Sequence, residues 1–366
     1  MHRFVPCCVA LAVAACGGEA APSENAPLAS SSSGESGSAG SSSGAPTVDG
    51  GSSGGPVVPT ECAPGTEVLA ADLAGVSGLA ADLSFVYWTN VESGTVAKVP
   101  RCGGTPVPLV TGVRGPTRLA LDDTHVFWTN PEAGTVSSVP KAGGAGITLA
   151  TGQGMATAIA VDATSVYWVR WVSRTLGVAL LQVPKAGGAP QVLTQVTFVT
   201  PDWRDLVIDA TNAYFADRGV PADRDEGGVN FIPLAGGTRG RLAARVGSAT
   251  ALALDGENLF VASQGGMAYR VSLLTNDAVP LATHIDTARA IAVDATHVYW
   301  TNEASGRSAL YATPKDGTTV AEPERVVDVE GTIASVVTVG RSLYWTHDTK
   351  KPASVGATSA VMRRSL

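Results

Sequence analysis

The stretch Thr117–Gly152, TRLALDDTHVFWTNPEAGTVSSVPKAGGAGITLATG, holds four short runs of β-branched and aromatic residues. Gly, Asp, Asn and Pro separate them, so the stretch reads as four strands joined by turns. The pattern recurs. Aligned on an aromatic pair, its copies are Tyr87-Trp88-Thr89-Asn90, Phe127-Trp128-Thr129-Asn130, Tyr167-Trp168-Val169-Arg170 and Tyr214-Phe215-Ala216-Asp217. Phe260-Val261-Ala262-Ser263, Tyr299-Trp300-Thr301-Asn302 and Tyr344-Trp345-Thr346-His347 complete the set. Successive first aromatics lie 40, 40, 47, 46, 39 and 45 residues apart. Four strands in each such unit is the pattern of a β-propeller blade. The expected fold is all-β: a seven-bladed β-propeller with four antiparallel strands per blade.

Asp122, Asp162, Asp209, Asp255 and Asp294 each stand five residues before the first aromatic, where a tight turn joins strands one and two. Asx side chains close such turns with local hydrogen bonds. Lys-x-Gly-Gly at Lys141 and Lys185, and Arg101-Cys102-Gly103-Gly104, supply the positive-φ residues of the hairpin between strands three and four. The seventh unit ends at SAVMRRSL with three strands. TEVLAADLAG, before the first unit, matches the fourth-strand pattern of TPVPLVTGVRG. The amino-terminal strand is therefore expected to close the last blade. Cys62 and Cys102 then occupy equivalent corners of neighbouring blades, where a disulfide would staple the closure; two lone thiols are the alternative.

The Tyr-Trp-Thr run resembles the YWTD repeat of low-density-lipoprotein-receptor-type propellers. The resemblance covers about Glu61 to Leu366 and is clearest in repeats one, two, six and seven. The fourth position departs from that family and is Asp only at Asp217. The resemblance implies six blades, whereas this chain has seven copies of the motif.

Residues 1–15 carry Arg3 followed by a short apolar run, and Val13-Ala14-Ala15-Cys16 resembles a bacterial lipobox. That resemblance implies cleavage before Cys16, lipid on its sulfur and attachment to a membrane. An ordinary signal peptide with a chance cysteine is the alternative. Residues 16–60 are dominated by Ser, Gly, Ala and Pro and bury too little apolar surface to order themselves. As a flexible coil they reach roughly 35–40 Å. By resemblance to Gram-negative sorting, Gly17 after the lipid cysteine points to the outer membrane. The expected organisation is a signal peptide over 1–15, a lipidated tether over 16–60 and a propeller over 61–366. The expected address is the bacterial cell envelope, as an outer-membrane lipoprotein.

The chain has 366 residues and a net charge of −7, with no basic cluster, which argues against a nucleic-acid partner. Residues repeated in every blade are read as scaffold: the aromatic pairs, the turn aspartates, and His125 and His297 at equivalent turns. Sites are sought where the repeat breaks, in loops at one face. Blade 3 carries Arg170, Trp171 and Arg174; the segment entering blade 4 carries Trp203 and Arg204. Blade 4 follows Asp217 with a long loop, and blade 7 carries His347. Trp171 and Trp203 are the two tryptophans outside the repeated motif. With the neighbouring arginines they present flat apolar surface and bidentate donors suited to a sugar, a carboxylate or a peptide. Asp223, Asp225 and Glu226 are weak metal candidates, because the remaining ligands of a calcium loop are missing; a solvated acidic loop is the plainer reading.

Catalytic signals are thin. The repeated body contains no H-E-x-x-H, Cys-x-x-Cys or Gly-x-Ser-x-Gly. His284 and His347 are the histidines outside turns. No cofactor is expected, and a monomer is. The favoured function is a ligand- or protein-binding or scaffold module for an envelope glycan, peptide or protein. The alternative is a propeller hydrolase or lyase, lactonase-like and metal-dependent, by fold analogy.

Overall fold

A computed structural model describes residues 62–173, 177–196, 203–217, 227–242, 246–264, 267–283, 287–317, 322–349 and 358–366. These form 28 strands, and no helix occurs among the described residues. The first strand is β1 (Thr66–Leu73). Blade 1 follows with β2 (Val76–Ala81), β3 (Phe85–Asn90), β4 (Thr95–Pro100) and β5 (Val107–Val110). Blade 2 has β6 (Leu119–Leu121), β7 (His125–Asn130), β8 (Thr135–Pro140) and β9 (Ile147–Ala150). Blade 3 has β10 (Ala156–Val161), β11 (Ser165–Ser173), β12 (Gly177–Pro184) and β13 (Gln191–Val196). Blade 4 has β14 (Trp203–Ile208), β15 (Asn212–Asp217), β16 (Gly228–Pro233) and β17 (Gly240–Arg241). Blade 5 has β18 (Ala249–Asp255), β19 (Asn258–Ser263), β20 (Met267–Ser272) and β21 (Ala278–Thr283). Blade 6 has β22 (Ile291–Val293), β23 (His297–Ala304), β24 (Arg307–Pro314) and β25 (Glu324–Glu330). Blade 7 has β26 (Val336–Val339), β27 (Ser342–Thr349) and β28 (Thr358–Ser365), and β1 is its fourth strand, in the order β1-β28-β27-β26. The ring is a seven-bladed β-propeller closed by its first strand. Cys62 and Cys102 are bonded, with Cα atoms 4.9 Å apart, so the closing segment is also tied covalently to blade 1.

The aromatic pair explains how the ring holds. Adjacent residues on a strand face opposite sides of the sheet. Tyr87 accordingly packs with Leu119 and Trp128 of blade 2, while Trp88 packs with Val337 and Tyr344 of blade 7. The alternation continues round the ring. Phe127 meets Trp168, Tyr167 meets Phe215, Phe260 meets Trp300 and Tyr299 meets Trp345, each pair in one inter-blade core. The hydrophobic core is thus a set of seams between blades. Truncating one of these tryptophans to Ala should cost about 3–5 kcal/mol.

The threonine of the motif has its own task. The innermost strands of blades 1, 3, 4 and 5 bulge where they pair with the second strand. Thr89 Oγ1 accepts the Gly78 N–H at the blade 1 bulge at 2.8 Å, and is itself buried. Thr301 accepts the N–H groups of Arg289 and Ala290, and Thr346 that of Ser335. Gly78 admits no side chain, since a Cβ there would lie 2.4 Å from the Thr117 carbonyl oxygen of blade 2.

Candidate functional site

Strand direction alternates, so the turns between strands one and two share a face with the hairpins between strands three and four. This is the corner face. Loops between strands two and three, and connections between blades, lie on the opposite, loop face.

The corner face is occupied by a repeated carboxylate device. Asp162 Oδ1 accepts the N–H groups of Thr164 and Ser165, and its Oδ2 accepts the Tyr167 hydroxyl at 2.8 Å. Asp209 with Tyr214, and Asp294 with Tyr299, repeat this geometry. Asp82 does so as well, a sixth turn aspartate beyond the five expected. In blades 2 and 5 the first aromatic is Phe127 or Phe260 and has no hydroxyl. There a lysine of the next blade takes over: Lys185 meets Asp122 at 2.7 Å and Lys315 meets Asp255 at 2.5 Å. Asp82 takes both Tyr87 and Lys141. Burial pushes the Asp82 carboxyl up, but Lys141 and the N–H groups of Phe85 and Ser84 outweigh it, so the net shift is downward. Asp122 is lowered in the same way by Lys185 and its turn N–H groups, and Asp162, Asp209 and Asp294 are lowered against burial by their turn N–H groups and tyrosine hydroxyls. Burial and then Asp162 raise the Tyr167 hydroxyl to about 12. His125 and His297 lie in these turns, their N–H groups bound to Asp122 and Asp294. Repetition around the ring marks all of these residues as scaffold.

A second set of polar groups bridges the innermost strands. Arg118 Nε donates to the Thr157 carbonyl oxygen of blade 3 at 3.0 Å. Asp205 of blade 4 is fully buried, and its Oδ2 accepts the Leu252 N–H of blade 5 at 2.8 Å. Burial raises its carboxyl to about 7, opposed by the Leu252 N–H, the Arg118 charge and the Leu206 N–H. Both residues pass unremarked in a reading based on loops. Aligning the inner strands would have found them, because the same position holds Gly78, Ala158, Ala251, Ala290 and Ser335 elsewhere.

Arg170 and Trp171 lie near the loop-face end of the second strand of blade 3. Arg170 Nη1 donates to the Gly152 carbonyl and to Gln153 Oε1, each at 3.3 Å. Its Nε is buried without a partner among the described residues. Trp168 Nε1 donates to the same Gln153 oxygen. Trp171 N–H donates to the Met155 carbonyl oxygen at 3.2 Å. Met155 has φ +60°, a left-handed backbone uncommon outside glycine. The two side chains are 38% and 37% exposed, whereas the five tryptophans of the repeated motif are buried. Met155 was not singled out in the sequence; it stands where no copy of the motif prompts attention.

Blade 4 adjoins this patch. Trp203 and Arg204 open β14, and Trp203 pairs in register with Asp217. Asp217 Oδ2 accepts from Asn230 Nδ2 at 3.4 Å. Arg174 lies outside the described residues, as do Asp223, Asp225, Glu226, His284 and Cys16. His347 is on the loop face too, but in blade 7, three blades from either blade 3 or blade 4. Its Nε2 donates to the Glu330 carbonyl oxygen at 2.7 Å. The neighbouring Asp348 carboxyl is raised by burial, against hydrogen bonding from Ser359 and the charge of His347. Among the described residues, no group of three or more His, Cys, Asp or Glu is arranged to hold a metal ion.

No family model matches the sequence, and no curated protein does. Solved structures do match. The chain is similar to the WD40 β-propeller domain of Doa1, with 13% identity, a TM-score of 0.58, and coverage of 81% of this chain and 97% of that one. The likeness is one of fold. The computationally designed Ika8 protein is similar at 13% identity and a TM-score of 0.53, covering 82% and 98%. A chain of the nidogen/laminin complex is similar at 21% identity and a TM-score of 0.46, over 56% of this chain and 78% of that one.

Proposed function

We propose that the propeller is a binding module whose ligand sits on the loop face of blades 3 and 4. One observation carries this reading. Trp171 and Met155, joined through the backbone, both stand exposed at the loop-face end of blade 3, and Arg170, adjacent to Trp171 in the chain, keeps a buried Nε with no partner among the described residues. A flat apolar surface beside an arginine suits a sugar ring or peptide carrying a carboxylate. We further propose an envelope lipoprotein, held to the outer membrane through lipid on Cys16 by the tether over 16–60. The Cys62–Cys102 bond supports an oxidising compartment for the body of the chain.

The test is a melting-shift screen of the full chain against peptidoglycan fragments, glycans and short peptides. A ligand should raise Tm for the parent protein and not for Trp171→Ala. The unliganded melt of that variant should differ by less than about 1 °C, because an exposed side chain is removed. A ligand that shifts both proteins equally refutes the site.

A further inference from the structure

The corner where blade 7 meets blade 1 breaks the carboxylate device described above. The contact between blades 1 and 2 shows the intact arrangement. Tyr87 and Lys98 are cross-strand partners in blade 1. Tyr87 donates its hydroxyl to Asp82 Oδ2 at 3.0 Å, Lys141 donates to the same oxygen at 2.8 Å, and Lys98 Nζ donates to the Lys141 carbonyl oxygen at 2.6 Å. A tyrosine and one cation thus hold the turn carboxylate, and a second cation is bonded to the backbone of the first.

Blade 7 retains three of these four elements. Tyr344 and Arg363 are the cross-strand partners corresponding to Tyr87 and Lys98. Arg101 of blade 1 corresponds to Lys141, since each follows the proline that ends the third strand. It lies against the blade 7 turn: a Cβ on Gly340 would be 3.8 Å from Arg101 Nη1. The fourth element is changed. Val339 stands five residues before Tyr344, where blades 1 to 6 have aspartate.

The consequence is a set of buried donors with no acceptor. Arg363 has no exposed surface, and its Nε and Nη1 have no partner among the described residues. The Tyr344 hydroxyl is buried and likewise unpartnered. Arg363 Nη2 is satisfied by the Ala63 carbonyl oxygen and by Glu67 Oε2, both at 2.8 Å. Glu67 therefore meets one edge of the guanidinium and leaves the other two nitrogens unserved. Arg101, 5% exposed, adds a second guanidinium to the same corner. Guanidinium nitrogens donate only, so an acceptor without hydrogens of its own is the complementary group. Burying such donors unpaired is costly.

We propose that this corner binds a small carboxylate-like monoanion, held by Arg363, Arg101 and the Tyr344 hydroxyl in place of the aspartate that Val339 replaces. The burial of Arg363 and Tyr344 limits the ligand to a few atoms. The site lies on the corner face, opposite the loop-face patch, and is independent of the binding function proposed there. It joins the two ends of the ring, so occupancy stabilises closure.

Formate is the probe. Parent protein and Val339→Asp are melted in increasing sodium formate at constant ionic strength. The variant should melt higher than the parent without formate, because it restores the carboxylate in place. Formate at ten times its dissociation constant should raise the parent Tm by about 2 °C in a saturable manner and leave the variant flat. Parallel responses of the two proteins overturn the proposal, and the paired design cancels general salt effects. A second measurement stands if Val339→Asp folds poorly. The ¹³C-formate resonance should broaden with the parent protein and not with Arg363→Met; no broadening with the parent overturns the site.

Discussion

Breaking the Cys62–Cys102 bond tests how the ring is closed. The bond joins residues 40 apart and encloses β1, the strand that completes blade 7. A cross-link of that span removes about 13 cal/mol/K of entropy from the unfolded chain, or about 4 kcal/mol at 25 °C. Unfolding a ring of roughly 300 residues carries about 0.6 kcal/mol/K of entropy near 60 °C. Dividing the first figure by the second predicts that Cys62→Ser/Cys102→Ser melts about 6 °C lower.

The loss should be felt first at β1. Without the bond, that strand keeps its ladder to β28, its Leu69 and Ala70 in the seam between blades 7 and 1, and the Arg363–Glu67 ion pair. Those contacts keep the ring closed at 25 °C but hold one strand rather than a blade. Calorimetry gives the global effect, and amide hydrogen exchange across β1 gives the local one. Exchange in β1 should accelerate more than in β10, on the far side of the ring. A double variant that melts within about 1 °C of the parent, with β1 protection unchanged, would refute the argument.

Three further outcomes follow from the polar groups and the amino terminus. The Asp205 carboxyl is raised by burial to about 7, above its ordinary 3.8, so its contribution to stability is full below pH 4 and lost as pH rises through 7. Urea melts should lose up to about 1.4 kcal/mol per pH unit from this group on that rise, and Asp205→Asn should flatten the slope; equal slopes would disprove the assignment. The turn aspartates have the opposite sign: their lowered carboxyls contribute above about pH 4, and that contribution is lost as pH falls. Cys16→Ala should move the full chain from the membrane to the soluble fraction with its propeller melt unchanged; a variant that stays with the membrane would disprove lipidation.

The fold was legible because a propeller writes the same structural needs blade after blade. The aromatic pair recurs since six of the seven seams take one of its rings from each of two blades, and the turn aspartates recur since the tight turns of five blades have the same N–H groups to satisfy. Even the closure showed, because TEVLAADLAG carries the signature of a fourth strand before any first strand. Single-copy features had no such amplification. Met155 becomes notable only when its left-handed backbone and exposure beside Trp171 are seen. His347 and Trp171 both lie near the ends of second strands, which linear reading treats as alike, yet the ring sets them three blades apart.

The repeat nevertheless holds more functional information than its loops do, if it is read by position across blades. At the position before the first inner-strand leucine or its equivalent, Gly, Ala and Ser predominate, and Arg118 and Asp205 stand out as the charged side chains, both of which reach the backbone of a neighbouring inner strand. At the turn position, aspartate occurs six times, and Val339 is the exception. An apolar substitution on a surface turn is unremarkable by itself. It acquires meaning because Tyr344, Arg101 and Arg363 stay at the positions that Tyr87, Lys141 and Lys98 occupy around the blade 1 turn, with Tyr344 and Arg363 left holding unpartnered donors. In a symmetric scaffold, a changed residue whose neighbours keep the old chemistry is a stronger pointer to a ligand than a long loop, because the surrounding copies state what the missing group must be.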